Sequence, residues 1–363
     1  MDPPPQDGVR PPSVFHSVPG YEKMLTEGEG GFLGFLHPPM LSDQHPQPEI
    51  QPSCPNWDIP SLSKDDAQQA FIKYASNKRC YSTKPAEEGV ITNMEAFDTY
   101  RYRLETFTET RTTEWSQRPY YGEKMDTSGQ TPPSPWEIPV HAPFFFQDGK
   151  QIIEIPHTSS VKKCISCSAR GRITCTTCFG DGTKTCNGCG GIGYNYYYQN
   201  RQLCFCCSGR GRINCWQCCG LGKVECDVCS GKQNVIVSIN LVVIWLNDVE
   251  EHLVEQSSGL QMFKLYNVPG KELFTDSNYM VHPVTNFPDP SVAEASERLL
   301  REHQAKYLQT SRILQQRQTV DLVPITKVTY EWKGESHVFF VYGSDLRVSA
   351  EGYPAACCCC TVM

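Results

Sequence analysis

CISCSARGRITCTTCFGDGTKTCNGCGGIG, residues 164–193, states one short phrase three times: a Cys-x-x-Cys pair every eleven residues, with glycine trailing each pair. Ten residues later the phrase returns as CFCCSGRGRINCWQCCGLGKVECDVCSGKQ, residues 204–233. Two cysteines separated by two residues can turn back so that both sulfurs face one ion. Two such pairs complete a tetrahedral thiolate site suited to zinc. Trailing glycines supply the positive φ and close backbone approach that such a knuckle needs. Ala169 and Gln233 stand where the repeat would otherwise place glycine.

Parity decides how the pairs combine. They begin at 164, 175 and 186, then at 204, 215 and 226. Three pairs on each side leave one pair over if each side pairs within itself. Equal steps on both sides suit an antiparallel hairpin folded about residues 194–203. That nests three sites: Cys186 and Cys189 with Cys204 and Cys207, Cys175 and Cys178 with Cys215 and Cys218, Cys164 and Cys167 with Cys226 and Cys229. Three Zn²⁺ are expected in a rod-like arm. Four thiolates leave no open coordination position, so the sites read as structural rather than hydrolytic.

Charge is consistent with metal. Residues 160–233 carry ten Lys and Arg against three acids, and twelve thiolates with three Zn²⁺ add a net −6, leaving +1. Arg170, Arg172, Arg210 and Arg212 are expected to offset the anionic sites. A basic nucleic-acid patch with interleaved Phe179, Phe205, Trp216 and Tyr196 to Tyr198 is the rival reading. It is not preferred, because neutralisation already accounts for the excess. Cys206 and Cys219 sit beside ligands but outside the pairing, either as packing thiols or as resolving thiols for dithiol chemistry.

The rest of the 363-residue chain sets the context. Its net charge of −7 offers no overall attraction to nucleic acid or anionic membrane. Of twenty cysteines, fourteen lie in residues 164–229, four form the run 357–360, and Cys54 and Cys80 stand alone. The opening MDPPPQDGVRPP has neither a basic nor an apolar signal region, so a reducing compartment is expected, where paired cysteines mean metal or redox chemistry. The longest apolar run, residues 235–246, is too short to span a bilayer and suits a buried strand.

Organisation follows from pattern. Residues 1–55 are Pro-rich, lack apolar periodicity and are expected to be disordered. Residues 56–159 form the first part of an α+β body, 160–233 the cysteine arm, 234–350 the second part, and 351–363 a flexible Cys-rich tail. Within the body, Ser63-x-x-Asp66 opens a helix to about Asn77. FDTYRYRLETFTETRTTEW reads as a long strand with Tyr100, Tyr102 and Leu104 on one face. FFFQDGKQIIEI reads as a hairpin turning at Asp148-Gly149, and residues 234–246 as a strand. Ser291 to about Gln318 reads as a long amphipathic helix entered through Asp289-Pro290. VPITKVTYEWKGESHVFFVYG reads as a hairpin turning at Lys333-Gly334. The fold class is therefore α+β, a β-rich body with two main helices interrupted by an extended antiparallel zinc-knuckle hairpin.

The repeated Cys-x-x-Cys-x-Gly-x-Gly resembles the cysteine-rich zinc domain of DnaJ-type co-chaperones, most fully in CTTCFGDG, CNGCGGIG and CFCCSGRG. In that family four motifs bind two zincs, and the domain interrupts a β-rich client-binding region. Here there are six motifs, and the His-Pro-Asp triad of a J domain is missing: the candidates are His37-Pro38-Pro39, His45-Pro46-Gln47 and His282-Pro283-Val284. With flanks such as VTYEWKGESHVFFVYG, residues 56–350 more closely resemble the animal Ssu-two homologue (SSUH) family. That resemblance implies a link to tooth formation in vertebrate members.

The tail ends in Cys360-Thr361-Val362-Met363, a Cys-a-a-X box whose Met favours farnesyl. Cys357, Cys358 and Cys359 could add palmitate as the second anchor. No phosphate-cradling glycine loop, Gly-x-Ser-x-Gly or His-Glu-x-x-His is found, the nine histidines are dispersed, and the carboxylates of Glu294 to Glu302 share a helix with Arg298 and Arg301 as a solvated face. The expectation is a non-enzymatic, zinc-binding chaperone-like or adaptor protein that meets protein clients or chaperone partners. Tyr196, Tyr197 and Tyr198 at the arm's tip are the candidate contact. A cytoplasmic location follows, with membrane association through a prenylated tail and a nuclear pool as alternatives. The competing class is a thiol–disulfide oxidoreductase or isomerase using Cys206, Cys219 or labile Cys-x-x-Cys pairs.

Overall fold

Ser63 starts the first helix as its spacing from Asp66 predicts: the Ser63 Oγ accepts the Asp66 N–H at 3.0 Å, and α1 runs Lys64–Ser76. The computed structural model describes residues 61–125, 130–197, 200–307 and 310–355. The segment 1–55, Tyr198 and the tail cysteines Cys357 to Cys360 lie outside the described residues. After α1 come α2 (Lys84–Glu88), β1 (Val90–Ala96), β2 (Thr99–Pro119), β3 (Gly149–Glu154) and β4 (Ser160–Lys163). The cysteine block holds β5 (Arg172–Thr174), β6 (Thr183–Thr185), β7 (Tyr194–Tyr197), β8 (Asn200–Leu203), β9 (Arg212–Asn214) and β10 (Lys223–Glu225). Then follow β11 (Asn234–Leu253), β12 (Lys271–Asn278), α3 (Pro290–Tyr307), β13 (Arg312–Val323), β14 (Ile325–Trp332), β15 (Glu335–Tyr342) and β16 (Arg347–Ser349). The protein is β-rich with few helices. Among the described residues no helix is long and apolar enough to cross a membrane.

The chain divides into two compact units, and β2 and β11 each pass from one into the other. One unit holds described residues from 61–110, 141–149 and 244–355. In it β1, β14, β15 and β16 form an antiparallel sheet in that order, with the β14–β15 hairpin pairing Trp332 with Glu335 around Lys333-Gly334. Phe71 of α1 stacks on Phe339 with centroids 4.0 Å apart and meets Tyr330 and Tyr353 edge-on. A second core joins Tyr102 and Leu104 of β2, partly buried Tyr100, Val320 of β13 and the apolar face of α3. On the other face of α3, Arg298 and Arg301 pair with Glu302 and Glu297 in solvent.

Two sequence expectations are corrected here. The helix ends at Tyr307 rather than near Gln318, and residues 312–323 are strand β13, paired with β2 from Arg312↔Glu109 to Val323↔Thr99. Polar glutamines on the inward face concealed the strand's alternation. Gln316 Nε2 donates to Thr106 Oγ1 at 3.1 Å, and Gln318 Nε2 donates to the His282 carbonyl at 2.8 Å. Buried amides satisfied this way behave as core residues despite their polarity. Nor is there a strand ahead of Asp148-Gly149: residues 143–147 are turns and bends, and only β3 follows. Phe145 and Phe146 instead turn onto Phe107, and Asp148 Oδ1 accepts the Asn247 N–H at 2.8 Å.

The other unit holds described residues from 111–140 and 150–243. β4 pairs antiparallel with β11, from Asn234↔Lys163 to Val237↔Ser160. The strands that enter and leave the cysteine block are therefore neighbours.

Candidate metal centre

Three short ladders organise residues 172–225. β5 pairs with β10 (Ile173↔Val224), β6 with β9 (Lys184↔Ile213), and β7 with β8 (Tyr194↔Leu203), all antiparallel. Between ladders, knuckles face each other through reciprocal hydrogen bonds. The Cys175 N–H donates to the Gly222 carbonyl at 3.0 Å, and the Cys215 N–H to Gly182 at 2.8 Å. Cys186 and Cys204 exchange the same bonds with Gly211 and Gly193, and Cys164 and Cys226 with Gln233 and Gly171.

This pairing draws twelve cysteines into three buried quartets: Cys164, Cys167, Cys226 and Cys229; Cys175, Cys178, Cys215 and Cys218; Cys186, Cys189, Cys204 and Cys207. Facing sulfurs stand 3.6–3.8 Å apart in every quartet, for example Cys175 to Cys215 at 3.8 Å and Cys178 to Cys218 at 3.6 Å. A disulfide would need about 2.05 Å. Four sulfurs placed tetrahedrally about 2.3 Å from one ion would stand about 3.8 Å apart. Donor type, number and spacing thus fit a metal ion in each quartet.

The knuckle backbone prepares the sulfurs for negative charge. Gly171, Gly182, Gly193, Gly211 and Gly222 each point an N–H at the second cysteine of their pair, with N···S of 3.2 Å. Hydrogen bonds to the charged form favour it. Burial would raise the Cys167 and Cys189 thiols, but these N–H groups and neighbouring thiols outweigh it and bring both down to about 7. Cys164 and Cys186 go the other way, pushed by burial up to about 12. Metal-free, four crowded sulfurs divide into thiolate and thiol; a cation removes that conflict.

Glycine is needed where the knuckles touch. At Gly222, φ is +71° and a Cβ would meet the Gly180 carbonyl oxygen at 2.1 Å; at Gly182 it would meet that of Gly220 at 2.3 Å. The two departures from the repeat keep the conformation without the glycine, Ala169 at φ 58° and Gln233 at φ 67°.

The remaining candidates stay apart from the quartets. Cys206 and Cys219 are exposed, and the Cys219 Sγ lies 3.7 Å from the Trp216 carbonyl. Tyr196 and Tyr197 are exposed on β7, with the Arg201 guanidinium 3.5 Å from the ring centre of Tyr194. Arg212, expected to offset a thiolate site, instead binds Asp181 at 3.0 Å and Thr183 at 2.7 Å. Sequence reasoning passed over a fourth group, Asp248, Glu250 and His303, whose ligand atoms also converge. The i, i+2 carboxylates of β11 were a weak signal, and their histidine lies more than fifty residues downstream.

No family model matches the chain. It is 54% identical over 349 residues to Protein SSUH2 homolog of Danio rerio, covering 96% of this chain and 95% of that protein. The Homo sapiens Protein SSUH2 homolog is 38% identical over 356 residues, covering 97% and 94%. That of Mus musculus is 37% identical over 314 residues, covering 84% and 89%.

Proposed function

The chain belongs to the SSUH2 homologue family, and on that premise we propose that it is a zinc-binding, non-enzymatic adaptor or chaperone-like protein whose cysteine arm holds protein clients. In this reading the arm is a DnaJ-type zinc-knuckle hairpin with three nested Zn²⁺. Each ion replaces the apolar core that three-residue strands cannot supply.

One observation carries the client-binding part. Ten of the twenty-one large apolar side chains exposed among the described residues lie within residues 160–233. Single exposed apolar residues are ordinary; this concentration is not, and its largest members are almost free of contact. Phe205 is 96% exposed, Phe179 86% and Trp216 78%. Sulfur and metal fill the interior, so aromatic residues are left for the outside. The short ladders also keep open edges that an extended client segment can pair with.

The test is suppression of aggregation of a reduced, unfolding client by the zinc-loaded chain. Replacing Phe179, Phe205 and Trp216 with serine is expected to abolish protection while zinc content stays constant. Unchanged protection in that variant would remove the arm surface from the function. Replacing Tyr196 and Tyr197 with serine tests the tip separately.

A second reading rests on the exposure of Cys206 and Cys219. Accessible thiols in a basic segment can attack disulfides. Disulfide-reductase activity that disappears in the Cys206→Ala, Cys219→Ala double variant, with zinc retained, would put redox chemistry first.

A further inference from the structure

A different donor set lies far in sequence from the cysteine quartets. Asp248 and Glu250 are two apart on β11 and so share a face of the strand. His303, on α3, is fully buried. Its Nδ1 is held 2.8 Å from Thr106 Oγ1, which also accepts from Gln316 Nε2 at 3.1 Å. The other ring nitrogen, Nε2, has no hydrogen-bond partner. It stands 3.7 Å from Asp248 Oδ2 and 3.6 Å from Glu250 Oε1, beyond hydrogen-bond range of both.

A buried, unpartnered imidazole nitrogen facing two carboxylates calls for a cation between them. Nitrogen and oxygen ligands 2.0–2.2 Å from a tetrahedral ion stand about 3.3–3.6 Å apart, close to the spacing found. Thr106 orients the ring from behind, as outer-shell partners of ligating histidines do. In the tautomer that donates from Nδ1 to Thr106 Oγ1, Nε2 carries a free lone pair aimed at the two carboxylates.

We propose that Asp248, Glu250 and His303 bind a divalent ion of the zinc class through one nitrogen and two carboxylate oxygens. The Glu250 side chain, 41% exposed, leaves the remaining coordination position open to water. With no thiolate in the set, this is a chemically different site from the quartets, and one that keeps an exchangeable ligand. Two further groups face it. Tyr307 OH donates to Asp248 Oδ2 at 2.5 Å and steadies that carboxylate. Lys306 Nζ reaches the same oxygen at 2.8 Å and competes with the ion for its charge.

Metal counting after equilibrium dialysis against buffered micromolar Zn²⁺ tests the site. Wild type is expected to hold one zinc more per chain than Glu250→Gln, and His303→Gln is expected to show the same deficit. Lys306→Met, which removes the competing ammonium, is expected to tighten this one equivalent about ten-fold. Glu250→Gln is nearly isosteric at a partly exposed position, so it decides the matter if the buried His303 variant fails to fold. Equal zinc in wild type and Glu250→Gln would overturn the proposal. Because all the chains compared keep the same quartets, the difference does not depend on how many ions the arm holds.

Discussion

The sheet under α1 and the cysteine arm reach order by different physical means. In the first, Phe71, Tyr330, Phe339 and Tyr353 interlock beneath a thirteen-residue helix, and eight-residue strands pair along their length. Burial of large side chains does the stabilising. The arm offers strands of three or four residues, and sulfurs make up most of its buried clusters. One partly buried aliphatic side chain, Val224 or Ile213, packs on each of two quartets, and only the quartet of Cys164, Cys167, Cys226 and Cys229 adds Val235, Val237, Trp115, Ile173 and Val228. Such ladders are too short to stand alone in water. A segment can therefore be well ordered without an apolar core if metal ligation takes its place. It is then free to keep its aromatic residues on the outside.

Removing the metal should separate the two regions most sharply. Under reducing conditions a strong chelator is expected to collapse hydrogen-exchange protection in β5, β6, β9 and β10. Structural zinc is worth about 10–16 kcal/mol in small domains. Protection of the β14–β15 hairpin should persist. Arm amides that stayed protected would mean that backbone and sulfur packing suffice without an ion. The converse perturbation is Phe71→Ala, expected to cost the sheet unit about 3–5 kcal/mol in denaturant unfolding. Metal content should not change, and a loss of bound metal would show the regions to be interdependent.

A smaller effect is expected from Gly222→Ala, which forces a Cβ against the Gly180 carbonyl at a left-handed position. A cost of about 1–3 kcal/mol should appear as roughly ten-fold or greater weakening of one metal equivalent, leaving the sheet's melting unmoved. Full affinity would show that the knuckles can separate.

The smallest effect concerns charge in the sheet-bearing unit. Burial would raise the Glu105 carboxyl, but Arg317 at 2.6 Å, Asn247 and Arg103 outweigh it and hold it below the usual glutamate range. A carboxyl lowered on folding contributes stability above its unfolded pKa and loses it as pH falls through the folded value. Arg317→Met is expected to cost about 1 kcal/mol at neutral pH, discounted because Arg317 is 39% exposed. The gap from wild type should close on acidification. A gap constant with pH would point to lost packing over Phe146, where the guanidinium lies 4.2 Å from the ring centre.

Legibility in the sequence followed the range of the interactions. Ser63 and Asp66, Lys333-Gly334 and the Tyr100, Tyr102, Leu104 alternation declare themselves within a few residues, and α1, the β14–β15 hairpin and the inward face of β2 are found there. Residues 312–318 misled because Gln316 and Gln318 look solvent-facing until Thr106 and the His282 carbonyl are present to accept from them and Tyr102 OH to donate to Gln318. Phe145 and Phe146 misled in the opposite sense: β-prone side chains that turn toward Phe107 need no strand.

By itself the sequence determined which cysteines could share an ion, because an eleven-residue step repeated on both sides of a ten-residue turn leaves few ways to fold back. It also determined where glycine had to stand. Only the tertiary structure decided that Asp248, Glu250 and His303 converge, that Cys206 and Cys219 face solvent, and that polar β13 runs through a core. Repeats encode geometry locally, at a fixed spacing. Convergence across more than fifty residues is set by sheet register and helix packing, to which no single stretch of sequence commits.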